Sequence, residues 1–267
     1  MSAEFKIEHV SAGDVRMEVL CFGRGGRTLA IIPGLSLGSV LRGAEGVVKA
    51  YECFAEDYRV YLFDRRLNMP ESYSVAQMAK DTAAVMMEMG LKDIDLFGVS
   101  QGGMISQLIA IEHPELIHKL ILASTISRPT EKTGDAGHIW LEGTESPEGA
   151  AGLYRSFANL VYSEVFLSRY GQYLDAAAAV VTDEDMHRFR IQLQGIGDFS
   201  TYDDLERIKC PVLVMGAWKD KVTGPDASIE IARKLSCQLV MYPAPYGHAV
   251  YDEAPDFKQR ILKFLSE

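Results

Sequence analysis

A serine, an aspartate and a histidine, each placed where an apolar run gives way to a loop, carry the chemistry legible in this 267-residue chain. The serine is Ser100, in Gly98-Val99-Ser100-Gln101-Gly102. The run Ile94-Asp95-Leu96-Phe97 before it reads as a short buried strand, and Gly103 to Ala110 after it reads as the first turns of a helix. Gly-x-Ser-x-Gly between strand and helix is the layout of a nucleophile elbow, a turn so tight that the serine backbone is strained and its hydroxyl stands out over the sheet end. Glycine is needed on both sides because a side chain there would collide with the crossing strand or helix. Five residues are a weak pattern by themselves; partners give them meaning.

A serine hydroxyl is a poor nucleophile at neutral pH and needs a base, which in turn needs a carboxylate to orient it. Of the six histidines, His113 sits at a helix end before Pro114, His118 opens a strand, His9 lies in an N-terminal strand, and His138 and His187 fall in a helical insertion. His248 differs, because Tyr246-Gly247-His248 follows the predicted strand Gln238–Tyr242 and precedes the last helices. Loops at the carboxyl ends of parallel strands form the ligand crevice of an α/β sheet, so His248 is the expected base. The expected acid is Asp220, which follows the predicted strand Val212–Gly216. Asp226 is expected to cap a helix, and Asp198, Asp203 and Asp204 come before that strand. A developing oxyanion would be met by two backbone N–H groups, that of Gln101 and that of Leu35 in Pro33-Gly34-Leu35 after the strand Thr28–Pro33.

Eight strands are predicted: Phe5–Val10, Val15–Phe22, Thr28–Pro33, Tyr58–Phe63, Ile94–Phe97, Lys119–Ser124, Val212–Gly216 and Gln238–Tyr242. The first two form an antiparallel pair around Ser11-Ala12-Gly13-Asp14, and the later ones are short, continuous and rich in Val, Ile and Leu. Helices are predicted over Val75–Met89, Gly103–Glu112, Asp226–Leu235 and Pro255–Leu265, so strand and helix alternate as in an open α/β sheet. From about Arg128 to Asp203 no strand is legible. That stretch starts with a loop-like run, Arg128 to Gly137, and continues with helical segments Gly149–Tyr162, Glu164–Val180 and Asp183–Gln194. Residues 1–127 and 204–267 are accordingly read as the core and 128–203 as a helical cap. Gly34, Met104, Trp140 and Tyr154 are the candidate pocket residues; Arg42, Arg65 and Arg128 lie in loops from which a basic pocket is conceivable.

The net charge of −10 argues against nucleic acid or an anionic membrane as partner. The start of the chain, Met1 to Lys6, lacks a charged-then-apolar leader, and no run reaches membrane-spanning length, so a cytoplasmic enzyme is expected. Cys21, Cys53, Cys210 and Cys237 are dispersed without a C-x-x-C pair, which reads as buried free thiols with no metal site. No cofactor is expected, and the oligomeric state is left open, a homo-oligomer included.

With Pro33-Gly34-Leu35, Phe63-Asp64-Arg65-Arg66, the elbow, Gly216 to Asp220 and Tyr246-Gly247-His248 in hand, the chain resembles the α/β-hydrolase-fold proteins that carry a cap. The resemblance implies an eight-stranded, mostly parallel sheet with an antiparallel second strand and a cap after the sixth. It implies a serine hydrolase acting on a small or medium carboxylic ester or thioester with an apolar portion. Carbon–carbon bond hydrolysis, lactonase and cofactor-free peroxidase chemistry are alternatives on the same three residues, and a non-catalytic small-ligand binding protein is another. Two departures stand out. Many relatives have His-Gly where this chain has Pro33-Gly34, so another group must hold that loop. Relatives often read Asp-x-Arg-Gly-x-Gly-x-Ser where this chain has Asp64-Arg65-Arg66-Leu67-Asn68-Met69-Pro70-Glu71-Ser72; Asp64 and Arg66 are expected to tie down neighbouring loops, with a substrate-facing Arg65 as the minority reading.

Overall fold

The computed structural model describes residues 3–197 and 199–267. Eight strands make one sheet: β1 (Phe5–Ala12), β2 (Val15–Phe22), β3 (Arg27–Ile32), β4 (Tyr58–Phe63), β5 (Ile94–Val99), β6 (Ile117–Ala123), β7 (Val212–Ala217) and β8 (Gln238–Tyr242). Their order is β1-β2-β4-β3-β5-β6-β7-β8. β2 runs antiparallel to both β1 and β4, and every other pairing is parallel. The expected mostly parallel sheet with an antiparallel second strand is therefore present.

Every residue of β5 and β7 is buried, which is why β7 is continuously apolar and β5 is apolar apart from Asp95 instead of alternating. Helices cover both faces. On one side lie α2 (Val75–Glu88), α3 (Gln101–Glu112) and α8 (Pro225–Leu235); on the other lie α1 (Ala44–Ala50), α9 (Val250–Glu253) and α10 (Phe257–Ser266). α1 is absent from the sequence reading, since seven residues with Gly46 inside give too little periodicity to register.

Between β6 and β7 stand four helices, α4 (Glu131–Gly143), α5 (Gly149–Val161), α6 (Glu164–Ala178) and α7 (Asp183–Gln194). The loop-like reading of Arg128 to Gly137 is corrected, because α4 begins at Glu131. Gly134 and Gly137 suggested a break, but the Thr130 and Thr133 side chains close a reciprocal cap on the first turn, and Ala136 and Trp140 bury themselves on the body. Trp140, Leu153, Phe189 and Leu193 pack there with Leu35, Val222 and Ala249 from the strand-end loops.

Polar ties fix α7 in particular. Arg42 holds both carboxylate oxygens of Asp185, at 2.6 and 2.7 Å, while the Arg188 guanidinium donates to the carbonyls of Arg66 and Leu67. Arg66 spans Asp14 and Asp81, linking the β1–β2 turn to α2 as expected for that position. At the opposite end of the sheet Asp95 is 1 % exposed and accepts from Arg27 and Tyr58, with the His118 ring at 2.8 Å. Arg27 and Lys119 also donate to carbonyls of the last turn of α10, clamping the C-terminal helix to the strands. The reading of all four cysteines as buried holds for Cys21 and is corrected for the others: Cys210 and Cys237 are half-buried, and Cys53 is exposed. No helix among the described residues is long and apolar enough to cross a membrane.

Candidate active site

Ser100 sits between β5 and α3 at φ 52° and ψ −120°, a left-handed conformation that L-residues avoid. Neighbouring backbone holds it there. Its N–H donates to the carbonyl of Ala123, and its own carbonyl accepts from Gly103 N–H and from the Thr125 hydroxyl. The glycine requirement is steric. A Cβ on Gly98 would lie 2.3 Å from Ser106 Oγ, and one on Gly102 would lie 2.0 Å from the Ile32 carbonyl. Gly103, which the motif does not include, would meet Thr125 at 2.6 Å.

The structure brings Ser100, His248 and Asp220 together from three loops. His248 Nε2 is 3.0 Å from Ser100 Oγ, and Nδ1 is 3.0 and 3.1 Å from the two oxygens of Asp220. The carboxylate beside Nδ1 fixes the tautomer: Nδ1–H donates to Asp220, leaving the Nε2 lone pair for the serine proton. His248 and Asp220 are 3 % and 5 % exposed. Burial works against a charge on Asp220, but the His248 ring and the Thr223 hydroxyl and N–H outweigh it and hold the carboxyl below its ordinary range. Asp226 is exposed in the first turn of α8 and gives no side-chain cap, so the capping expectation is corrected; Gly224 occupies that position. Asp203 and Asp204 are exposed, and Asp198 lies outside the described residues.

Two supporting residues escaped sequence reading, and a third, Arg65, does not line the cavity as the substrate-facing reading would require. Thr223 donates to both oxygens of Asp220, through its N–H at 2.9 Å and its hydroxyl at 2.7 Å, and Val222 N–H adds a third bond. Ser124, itself at φ 46°, donates its hydroxyl to the His248 carbonyl. Arg65 is buried, and its Nη2 donates to the carbonyl of Pro33 at 2.9 Å and to Gln101 Oε1 at 3.0 Å. A Thr three residues after an Asp was the one local signal; the other two arise only from tertiary approach.

Among the described residues, the backbone N–H groups of Leu35 and Gln101 donate to no protein acceptor. Gly34 lies against the serine, where a Cβ would be 3.1 Å from Ser100 Cβ. A cavity of about 280 Å³ opens on Ser100, walled by Leu35, Gln101, Met104, Ile126, Trp140, Leu193 and Val222 among others, and by Gly134 and Gly137 of α4. That volume lies just below the usual range of small-molecule pockets, about 300–1,000 Å³. Met104 and Trp140 are thus at the cavity. Tyr154 is not part of its wall and packs in the cap cluster behind. Among the described lining residues none is charged. Arg42 is taken by Asp185, Arg128 by Glu230 and Arg65 by backbone and Gln101, so no basic pocket forms from them.

A model of the alpha/beta hydrolase fold matches residues 27–255. One relative, "Putative carbamate hydrolase RutD" of Rhizobium rhizogenes, is 26% identical over 80% of this chain and 85% of its own length. Another, 3-oxoadipate enol-lactonase 2 of Acinetobacter baylyi, is 23% identical over 90% of this chain and 94% of its own. Among solved structures, the alpha/beta hydrolase MGS-M2 from a Medee basin deep-sea metagenome library superposes with a TM-score of 0.85 at 18% identity, covering 98% of each chain. An eight-stranded sheet in this order, a strained serine between β5 and α3 and a family match over most of the length have one explanation: the chain belongs to the alpha/beta hydrolase fold family and is an esterase-like hydrolase of that family.

Proposed function

We propose that the protein is a serine hydrolase cleaving a small or medium carboxylic ester or thioester with a neutral, apolar acyl portion, through an acyl-enzyme. The observation carrying this reading is the unbroken line from Ser100 Oγ through the His248 ring to Asp220, opening on an uncharged cavity.

His248 Nε2 takes the hydroxyl proton as Ser100 Oγ bonds to the carbonyl carbon. The carbonyl oxygen, now an anion, is met by the N–H groups of Leu35 and Gln101. A donor of this kind is worth about 100- to 1,000-fold in rate because it strengthens only as charge develops. Collapse breaks the bond to the leaving oxygen or sulfur, which receives the proton from His248. Water then gives a proton to His248 and its oxygen to the acyl carbon; the acid departs and Ser100 regains its proton. Asp220 keeps Nδ1 protonated and supports the imidazolium in both halves.

The names of two relatives point to cyclic esters and carbamates, which the same sequence of steps would open. The uncharged wall favours a neutral acyl group over a dicarboxylate, since burying a charge without a partner is costly. The test is covalent labelling by a fluorophosphonate, with turnover of p-nitrophenyl butyrate, a thioester, a lactone and an aryl carbamate. Wild type is expected to label and to prefer the neutral ester or thioester, and Ser100→Ala to do neither. Labelling that survives Ser100→Ala ends the assignment.

A further inference from the structure

Two peptide N–H groups on separate segments can act on one oxyanion only if their spacing is held to a fraction of an ångström, because such donors act at about 2.7–3.1 Å. One belongs to the loop after β3 and the other to the head of α3. A single nitrogen bridges these segments. Arg65 Nη2 donates to the Pro33 carbonyl at 2.9 Å, reaches the Gly34 carbonyl at a long 3.5 Å, and donates to Gln101 Oε1 at 3.0 Å.

The Gly34 carbonyl and the Leu35 N–H are two ends of one peptide plane. In a trans peptide they point in opposite directions, so a carbonyl drawn towards Arg65 aims the N–H away from it. On the other segment, Gln101 Nε2 donates to the Gln192 carbonyl of α7 at 2.8 Å, which leaves Oε1 as the end that faces Arg65. Gln101 is thereby fixed between the cap and the guanidinium. Arg65 is 4 % exposed, its N–H donates to Asp64 Oδ1 at 2.8 Å, and it enters no side-chain ion pair among the described residues. Burial draws its guanidinium below the ordinary value, with Asp64 opposing that shift. A buried cation is costly, and here it is spent on bonds to the two segments that carry the donors.

We propose that Arg65 is the positioning residue of the oxyanion site, a fork that sets the Leu35 and Gln101 N–H groups at their working separation and so acts on the transition state through them. The inference rests on the serine-hydrolase reading above, but its test fails separately.

Arg65→Met keeps the stem and removes every donor; Arg65→Lys keeps the charge with a single point of attachment. With p-nitrophenyl butyrate, kcat is expected to fall about 100-fold in Arg65→Met and about 10-fold in Arg65→Lys, with KM within threefold of wild type. The inhibition constant of an alkyl trifluoromethyl ketone, whose adduct carries the oxyanion, should rise by a similar factor, while Ser100 still labels with a fluorophosphonate. Should Arg65→Met fail to fold, by thermal unfolding, Arg65→Lys decides: a kcat at least threefold down at unchanged KM supports the assignment. Wild-type kcat in either folded variant, or a loss confined to KM, overturns it. Labelling of wild type that is insensitive to Ser100→Ala overturns instead the underlying reading.

Discussion

The two ends of β5 carry two buried polar clusters of opposite character. At the amino end Asp95 is surrounded by Arg27, Tyr58 and His118, and the neighbouring Lys119 holds two carbonyls of α10. That cluster is closed, in that its carboxylate meets protein groups on each oxygen. At the carboxyl end, Asp220 is equally well supplied by Val222, Thr223 and His248, but the chain stops at Ser100 Oγ, beside two peptide N–H groups that donate to no protein acceptor among the described residues. Both ends have buried charge; the carboxyl end adds, beside the cavity, two peptide N–H groups without a protein acceptor among the described residues and a serine held at φ 52°. Burial of charge alone does not distinguish a site from a clamp; the open end of the network does.

The contrast breaks most sharply at Asp220. Asp220→Asn is nearly isosteric, yet it removes the charge that keeps Nδ1 protonated, and it offers an amide N–H where His248 needs an acceptor. A drop of about 10⁴-fold in kcat is expected, the size seen for this change in a serine protease. Steady-state kinetics with circular dichroism check it; a loss below tenfold in a folded variant would place the acid elsewhere.

At the other end the expected effect is reversed. Asp95→Ala strands Arg27, Tyr58 and His118, but Arg27 and His118 are 42% and 44% exposed and can rehydrate. The loss should therefore lie near the low end for breaking a buried pair, about 3 kcal/mol, or roughly 6 °C in melting temperature. kcat should stay within twofold. If kcat fell a hundredfold with little change in melting, the closed cluster would be more than a clamp.

The same contrast explains what the sequence could and could not yield. The strands of the core were legible because doubly covered strands are mostly apolar, and Ser100, Asp220 and His248 because each follows such a run. α4 was not, since Gly134 and Gly137 outweighed a Thr-x-x-Thr cap whose worth appears only with Trp140 buried beneath it. The group that holds the Pro33-Gly34 loop could be expected but not named: Arg65 comes from the end of β4, and only the pairing of β3 with β4 brings it there. Asp95 gave no signal at all, because its partners lie on β3, β4 and β6.

Those same two glycines allow a finer test of the open end. A Cβ on Gly137 would have only Leu193 near it, at 4.0 Å, so a side chain there projects into the cavity. Gly137→Leu should leave the short acetyl ester nearly unaffected and lower kcat/KM for the hexanoyl ester about 10-fold relative to it, since one or two methylenes are worth roughly 1–3 kcal/mol in such a pocket. An unchanged ratio would mean that the acyl chain occupies another space.

The smallest effect belongs to a charge pair lying between the two extremes, Arg42 with Asp185. It is doubly hydrogen-bonded like the closed cluster, but Arg42 is 51% exposed, so the pair is partly screened. Burial disfavours the charge on Asp185, yet the Arg42 guanidinium and the Thr182 N–H and hydroxyl outweigh it and keep the carboxyl below its ordinary value of 3.8. A folded value below the unfolded one means stabilisation that is fully present above the unfolded value and is lost as pH falls through the folded one. Asp185→Asn, which keeps an acceptor for Thr182, should cost about 1 kcal/mol at neutral pH with kcat unchanged. The gap between wild type and variant should close as denaturation is followed below about pH 3.8. A gap that stays constant into acid would show that Asp185 works by packing and neutral hydrogen bonds, and that α7 is held by shape instead of charge.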